Sequence, residues 1–404
     1  MPSSAILRHR TTAIRTFFSF SSSFTPKPSP TSPRKPPLLW KPEDPNITDA
    51  IQLEVLSWGR GSSGQLGIGN EETRIYPTPA FSLLVPPSFR LSQSPGFLSP
   101  PEPLEPALEV GISCGLFHSA ALVGGQFWIW GKGDGGRLGF GNENPAFLPT
   151  LNPHLGNVKC LALGGLHSVA LTSLGQVFTW GYGGFGALGH SVYTRELVPR
   201  LVEGSWTVKI KHIATSGTHT ASITESGELF SWGREEGDGR LGLGPGRGPD
   251  QAGGLSIPCK VKALPVPVDA VACGGFFTLA LTEQGQLWSW GEDGKVLSWG
   301  HGGHGQLGHS SIQNQKVPTM IEALADERIV SVACGGSSSA AVTETGKLYM
   351  WGNAKDSQLG VPGLPEIQPS PIEIKFLMED DGLGPHKVLS VAIGASHAMC
   401  LVSR

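Results

Sequence analysis

This sequence predicts an all-β fold built from repeated small sheets, a β-propeller, and three observations predict it. Glycine supplies 56 of the 404 residues, roughly twice the average usage of about 7%. Only 16% of residues are charged. One short motif, Trp-Gly followed by further glycines and then Leu-Gly, recurs at intervals near 50 residues. Helical bundles and coiled coils need Ala, Glu, Lys and Leu and avoid glycine, so they are excluded. The glycines do not fall at every third residue, which excludes collagen. An apolar content of 39% is enough for a folded core.

The first 45 residues differ in kind from the rest. No acid precedes Glu43, whereas Arg8, Arg10, Arg15, Lys27, Arg34, Lys35 and Lys41 are basic. Serines and threonines are dense, and Ile6, Leu7, Ala13, Ile14, Phe17 and Phe18 can line one face of a short helix. That composition is the mark of an organelle leader; the alternative is a basic tail without order. Three arginines in the first fifteen residues favour mitochondrial matrix over chloroplast, with the nucleus as a further alternative. Residues 25–45, including PKPSPTSPRKPP, read as a Pro-rich linker that forms neither helix nor sheet. The expected division is therefore 1–45, leader and linker without order, and 46–404, propeller.

Without residues 1–45 the charge count changes. The remaining 23 basic and 31 acidic residues leave a net charge of −8. An acidic body is a poor polyanion binder, so direct nucleic-acid binding is disfavoured. No apolar run approaches the roughly 18 residues a membrane helix needs. Six cysteines, at 114, 160, 259, 273, 334 and 400, form no C-x-x-C pair. They read as buried free thiols in a reducing compartment.

The body is one unit repeated. WGRGSSGQLG begins at Trp58, WGKGDGGRLG at Trp130, WGYGGFGALG at Trp180 and WGHGGHGQLG at Trp299. Looser copies are WGREEGDGRLG at Trp232 and WGNAKDSQLG at Trp351. A second half-motif combines small residues, glycine, often His, and then a short apolar strand. It reads CGLFHSAAL from Cys114, LGGLHSVALT from Leu163, TSGTHTASIT from Thr215, CGGFFTLALT from Cys273, CGGSSSAAVT from Cys334 and IGASHAMCLV from Ile393. Glycine hairpins such as TSLGQ and TESGE join the halves.

The interval from Trp130 to Trp180 is 50 residues, and those from Trp180 to Trp232 and from Trp299 to Trp351 are 52. Such a period, made of short strands and turns, is that of propeller blades. The interval from Trp58 to Trp130 is 72 and carries an insertion at about 83–106 with seven prolines, read as a surface loop.

The two ends complement each other. Residues 53–66 hold a Trp-Gly half with no strand pair before it, and 388–404 hold a His half with no Trp-Gly after it. Joined, they make one blade and close the ring, which removes exposed sheet edges.

Taken together, the two half-motifs resemble the regulator of chromosome condensation repeat family, over about residues 53–404. The resemblance implies a propeller of seven blades, whereas six are recognisable here. The missing one leaves a trace: TEQGQLWSWG at 282–291 is followed by GEDGKVLSWG at 291–300. The second segment looks like the tail of another repeat. We expect a loss of about 50 residues between Gly291 and Glu292; the alternative is a local nine-residue duplication.

Chemical motifs are mimicked by the repeat. G-x-G-x-x-G occurs at Gly59, Gly131, Gly181 and Gly300. A dinucleotide site would need a helix after the glycines, in a βαβ unit. These glycines, with Gly233 and Gly352, read instead as turns needing positive φ. His118, His167, His219 and His397 share one repeat position, where Phe277 and Ser338 also stand. Catalysis would not repeat around a ring, so these histidines read as structural. So do Trp58, Trp130, Trp180, Trp232, Trp299 and Trp351, expected to pack between blades with an N–H handle. His301, His304 and His309 look like a metal cluster, but His190 repeats the position of His309, and no metal is expected. No catalytic constellation and no cofactor site stands out, so none is assigned.

The resemblance supplies the functional expectation. Propeller rims suit protein docking, and mitochondrial members imply support of organelle gene expression: transcript processing such as intron splicing, ribosome assembly and respiratory complex I assembly. Expected partners are proteins, either mitochondrial RNA-processing factors or a small GTPase. The alternative function is guanine-nucleotide exchange, as the family's founding member performs on a Ran-type GTPase; the insertion or the 234–250 loop could be the inserting element. The family's ultraviolet-B photoreceptor uses G-W-R-H-T segments, and none occurs here.

Overall fold

In a computed structural model the described residues are 36–42, 49–92, 108–215, 217–234, 241, 243, 254–262, 267–274, 277–282, 297–300, 302–313, 315–376 and 386–403. Residues 1–35 and 43–48, which the expected leader and linker at 1–45 and the start of the propeller include, residues 93–107 of the insertion and residues 283–296 lie outside them.

The strands follow the repeat. β1 (Leu38–Trp40), β2 (Ile51–Gly59) and β3 (Arg74–Val85) open the chain. The second sheet holds β4 (Arg90–Leu91), β5 (Glu109–Cys114), β6 (His118–Val123), β7 (Gln126–Gly131) and β8 (Ala146–Leu151). The third holds β9 (Val158–Leu163), β10 (His167–Thr172), β11 (Val177–Gly181) and β12 (Glu196–Leu201). The fourth holds β13 (Ile210–Thr215), β14 (His219–Thr224), β15 (Leu229–Arg234) and β16 (Gly254–Lys260). Two pairs follow, β17 (Val268–Gly274) with β18 (Phe277–Thr282) and β19 (Leu297–Gly300) with β20 (Gln315–Met320). A further four-stranded sheet holds β21 (Ile329–Cys334), β22 (Ser338–Thr343), β23 (Leu348–Asn353) and β24 (Ile367–Glu373). Last come β25 (Lys387–Ile393) and β26 (His397–Ser403), which return to the first sheet in the order β1-β3-β2-β26-β25.

The terminal halves meet as one blade. β2 pairs antiparallel with β26 from Leu53 opposite Ser403 to Gly59 opposite His397. The blade count, however, needs correcting. Five sheets are complete among the described residues, and the expected sixth stands as two separate two-stranded pairs. β17–β18 carries the first half of a repeat and β19–β20 the second half. They flank residues 283–296, where the two Ser-Trp-Gly segments follow one another in sequence.

Each strand's sequence fits its place. The first strands touch across sheets in the succession β21, β25, β5, β9, β13 and β17, so they are innermost. The second strands β6, β10, β14 and β22 are buried at every residue, because neighbouring blades cover both faces. Apolar runs without polar alternation follow from that burial. The core accordingly lies between blades: Leu53, Val55, Phe81, Leu83, Val110, Ile112, Trp130 and Met399 form one cluster across the first and second sheets. The fourth strands each carry proline, as at Pro79, Pro149, Pro199, Pro258, Pro318 and Pro371. Proline removes a donor from an outer edge and so blocks pairing with another chain.

Inner edges are blunted differently. β9, β13, β17, β21 and β25 each break register by a bulge against their second strand. β5 pairs with β6 without any such break. Its edge instead receives β4, in parallel, with Arg90 opposite Glu109 and Leu91 opposite Val110. Residues 90–91 of the insertion are therefore not a surface loop but an extra inner strand. Ser92 donates its hydroxyl to the Lys159 carbonyl at 2.9 Å, and a Cβ on Gly111 would come 2.7 Å from the Ser92 Cβ. Likewise residues 83–85 belong to β3. The linker expectation also changes, since Leu38–Trp40 is a strand paired parallel with β3.

Candidate functional site

The residues singled out by the repeat converge on the seams between blades. The glycine after each tryptophan has φ between +96° and +114° at Gly59, Gly131, Gly181, Gly233 and Gly352. That is the left-handed region where a side chain is strained. A Cβ on Gly131 would also sit 2.5 Å from the Phe117 carbonyl oxygen and 2.7 Å from the His118 Cα. The chain thus crosses directly over the His half of its own blade. From there the glycine loop reaches the next blade. At its Leu-Gly end, a Cβ on Gly67 would lie 2.6 Å from the Trp130 Nε1, and one on Gly139 2.8 Å from the Trp180 Nε1.

The carbonyl just before each Leu-Gly is the acceptor of the seam. The indole N–H of Trp130 donates to the Gln65 carbonyl at 3.0 Å, and that of Trp180 to Arg137 at 2.9 Å. Trp232 donates to Ala187 at 2.8 Å, Trp351 to Gln306 at 2.9 Å and Trp58 to Gln358 at 2.8 Å. Trp58, Trp130, Trp180 and Trp232 are fully buried. For Trp299 and Gly300 the backbone lies in β19.

A hydroxyl in the second strand fills the same carbonyl's other lone pair. Ser119 donates to Gln65 at 2.8 Å, Ser168 to Arg137 at 2.8 Å, Thr220 to Ala187 at 2.9 Å and Ser339 to Gln306 at 2.9 Å. In the closure blade this position is Ala398.

The histidines complete the seam. His397 Nε2 lies 2.8 Å from the Ser119 hydroxyl, His118 Nε2 2.9 Å from Ser168, and His167 Nε2 2.9 Å from Thr220. Each hydroxyl gives its proton to a carbonyl, so each imidazole must carry hydrogen on Nε2 and donate. His118, His219 and His397 are fully buried, and His167 nearly so. Burial, aided by nearby His219 and Arg137, lowers the His167 pKa to about 3, and burial alone lowers His397 to about 3. His118 is held well below 6.5, by burial first and then by Arg137, His167 and His397. These rings are neutral donors. Ser338 replaces histidine in its blade and donates to the Asn353 carbonyl at 2.9 Å.

The hydroxyls were missed from sequence although a signal existed: Ser119, Ser168 and Thr220 each directly follow the histidine. Arg137 is also new. Its Nε donates to the Asp134 carbonyl at 2.8 Å, and its Cζ lies 5.8 Å from the Phe117 ring centre, with the Lys132 Nζ 5.6 Å from the same ring. Arg234 sits 4.7 Å over Phe185, whose ring meets Tyr182 edge-on at 5.6 Å. Arg137 is buried, whereas Lys132 and Arg234 are half-buried and Tyr182 is exposed, so cations lie beside aromatic rings at the surface here. Burial pushes the Cys114 thiol up to about 12, so it stays protonated and unreactive.

Comparisons with known proteins agree with this architecture. The regulator of chromosome condensation (RCC1) repeat model matches residues 54–88, 124–171, 175–223, 226–281, 293–342 and 345–401. The mitochondrial RCC1 domain-containing protein RUG3 of Arabidopsis thaliana is 58% identical, over 99% of both chains. That alignment spans 447 positions; 404 residues cannot fill them, so at least 43 (447 less 404) face gaps in this chain. The ultraviolet-B receptor UVR8 of the same plant is 34% identical over 87% of this chain and 71% of its own. Among solved structures, human WBSCR16 superposes with a TM-score of 0.56 at 22% identity, covering 87% of this chain and 99% of its own. Yeast Prp20p, described with its binding to Gsp1p and histones, gives 0.54 at 21% identity, covering 88% and 92%. Repeats that match most of the chain, a full-length relative and a shared propeller fold lead to one conclusion: this chain belongs to the regulator of chromosome condensation (RCC1) repeat family.

Proposed function

We propose that the chain is a non-enzymatic mitochondrial scaffold that supports organelle gene expression through protein contacts. The observation that carries this reading is the 58% identity, over 99% of both chains, to a relative whose name places it in mitochondria. The basic N-terminus without acid before Glu43 supports the same compartment. The recurring polar groups of the repeat, His118, Ser168 and their counterparts, spend their hydrogen bonds inside the seams. Among the described residues, one surface open to partners is that around the half-buried Phe117, Lys132 and Arg234 and the exposed Tyr182. The body's net charge of −8 after residue 45 makes an effect on RNA act through a basic protein partner.

Within that role we assign transcript processing, in particular intron splicing, with respiratory complex I assembly downstream. Depleting the protein should raise the ratio of intron-containing to spliced mitochondrial transcripts and lower assembled complex I. Unchanged ratios and unchanged complex I would reject the assignment. A release assay with fluorescent guanine nucleotide on small GTPases separates the scaffold from an exchange factor, which would accelerate release.

A further inference from the structure

We infer that removal of the leader stops N-terminal to Pro36, and that Pro36–Trp40 stays with the mature chain as the outermost strand of the closure blade. This rests on the mitochondrial reading above for the cleavage, but the strand itself rests on geometry alone.

The outer edge of the closure blade is unlike the others. β3 runs for 12 residues, and its prolines, Pro77 and Pro79, protect only its first half. The second half, AFSLLV at 80–85, has no proline. It is apolar, extended and free of charge, the composition that invites edge-to-edge pairing. β1 occupies that stretch: Leu38 stands opposite Ser82 and Trp40 opposite Leu83, and the Ser82 amide donates to the Pro37 carbonyl at 2.9 Å. The side chains hold it too. Leu39 and Trp40 pack against the cluster between the first and second sheets. Trp40 also reaches the second blade, since a Cβ on Gly124 would meet its Cζ2 at 4.0 Å. β1 therefore fastens the ring-closing blade to its neighbour.

A cut beyond Trp40 would strip this strand and bare the edge. The chain upstream offers the recognition chemistry instead. Before Pro36 it holds Arg8, Arg10, Arg15, Lys27, Arg34 and Lys35 and no acid. The step is ordinary hydrolysis by a leader peptidase: water adds across one peptide bond before Pro36, leaving a carboxylate on the leader and an amine on the mature chain.

The test imports full-length chain into isolated mitochondria and sequences the N-terminus of the product. A mature N-terminus at or before Pro36 is expected; one beyond Pro36 would overturn the inference. A chain that is neither imported nor cut would defeat the mitochondrial reading and the cleavage with it. The strand is judged separately, by W40A in the full chain. Its melting midpoint should fall on the order of 2–5 °C, and an unchanged midpoint would show that β1 does not fasten the blade.

Discussion

Acid should loosen this protein, and the seam histidines set the pH at which it does so. In the folded chain His167 and His397 are neutral, with pKa values lowered to about 3 by burial. In the unfolded chain an imidazole titrates near 6.5. Folded values below unfolded ones mean that the unfolded state takes up protons first as pH falls. The stability these rings give is therefore whole above pH 6.5 and is lost progressively from 6.5 towards 3. Each costs about 1.4 kcal/mol per pH unit through that range, or about 2 kcal/mol at pH 5. The two together lose about 4 kcal/mol by pH 5, and His118 adds in the same direction. Whole domains have only about 5–15 kcal/mol to lose.

The assay is urea unfolding followed by tryptophan fluorescence between pH 7 and pH 4.5. The variant to compare is H167Q/H397Q, in which an amide N–H replaces the Nε2 donor without a titrating group. The parent's stability should fall more steeply with acid than the variant's, by about 3 kcal/mol per pH unit well below pH 6.5. Equal slopes would refute the claim that these rings are buried and neutral.

Four further outcomes are expected. G139A, which puts a Cβ 2.8 Å from the Trp180 Nε1 at φ +74°, should cost at least about 2 kcal/mol in chemical denaturation. G156A, where nothing lies within 4 Å, should stay within about 1 kcal/mol of the parent. S168A leaves the His118 N–H and one Arg137 lone pair unanswered, and should lose about 1–3 kcal/mol by the same measurement. Sequencing transcripts across codons 291 and 292 should recover a longer form with about one extra repeat, in line with the 43 or more unfilled alignment positions; recovery of the short form alone would favour local duplication.

Much of this architecture was legible in the sequence because each repeat states its own geometry. Trp130-Gly131 marks a left-handed crossing, and the unmatched halves at Leu53 and Val388 announce their pairing. The extra strands were not legible. Leu38–Trp40 and Arg90–Leu91 are two or three residues long and lie beside prolines, so neither period nor propensity singles them out. Their pairing depends on edges made elsewhere: the proline-free half of β3 and the unbulged β5. The sixth blade also misled, since a repeat count takes halves as wholes. The seam's hydroxyls were hidden for another reason, as Ser119 and Ser168 sit in short apolar strands where small polar residues pass for filler.

Native-state hydrogen exchange tests the joining of the two termini most directly. The amides of Leu53–Gly59 and His397–Val402, paired in one sheet, should exchange together and as slowly as those of the second strands β6 and β10. Rapid exchange along Leu53–Gly59, with the central blades still protected, would contradict a ring closed by its own two ends.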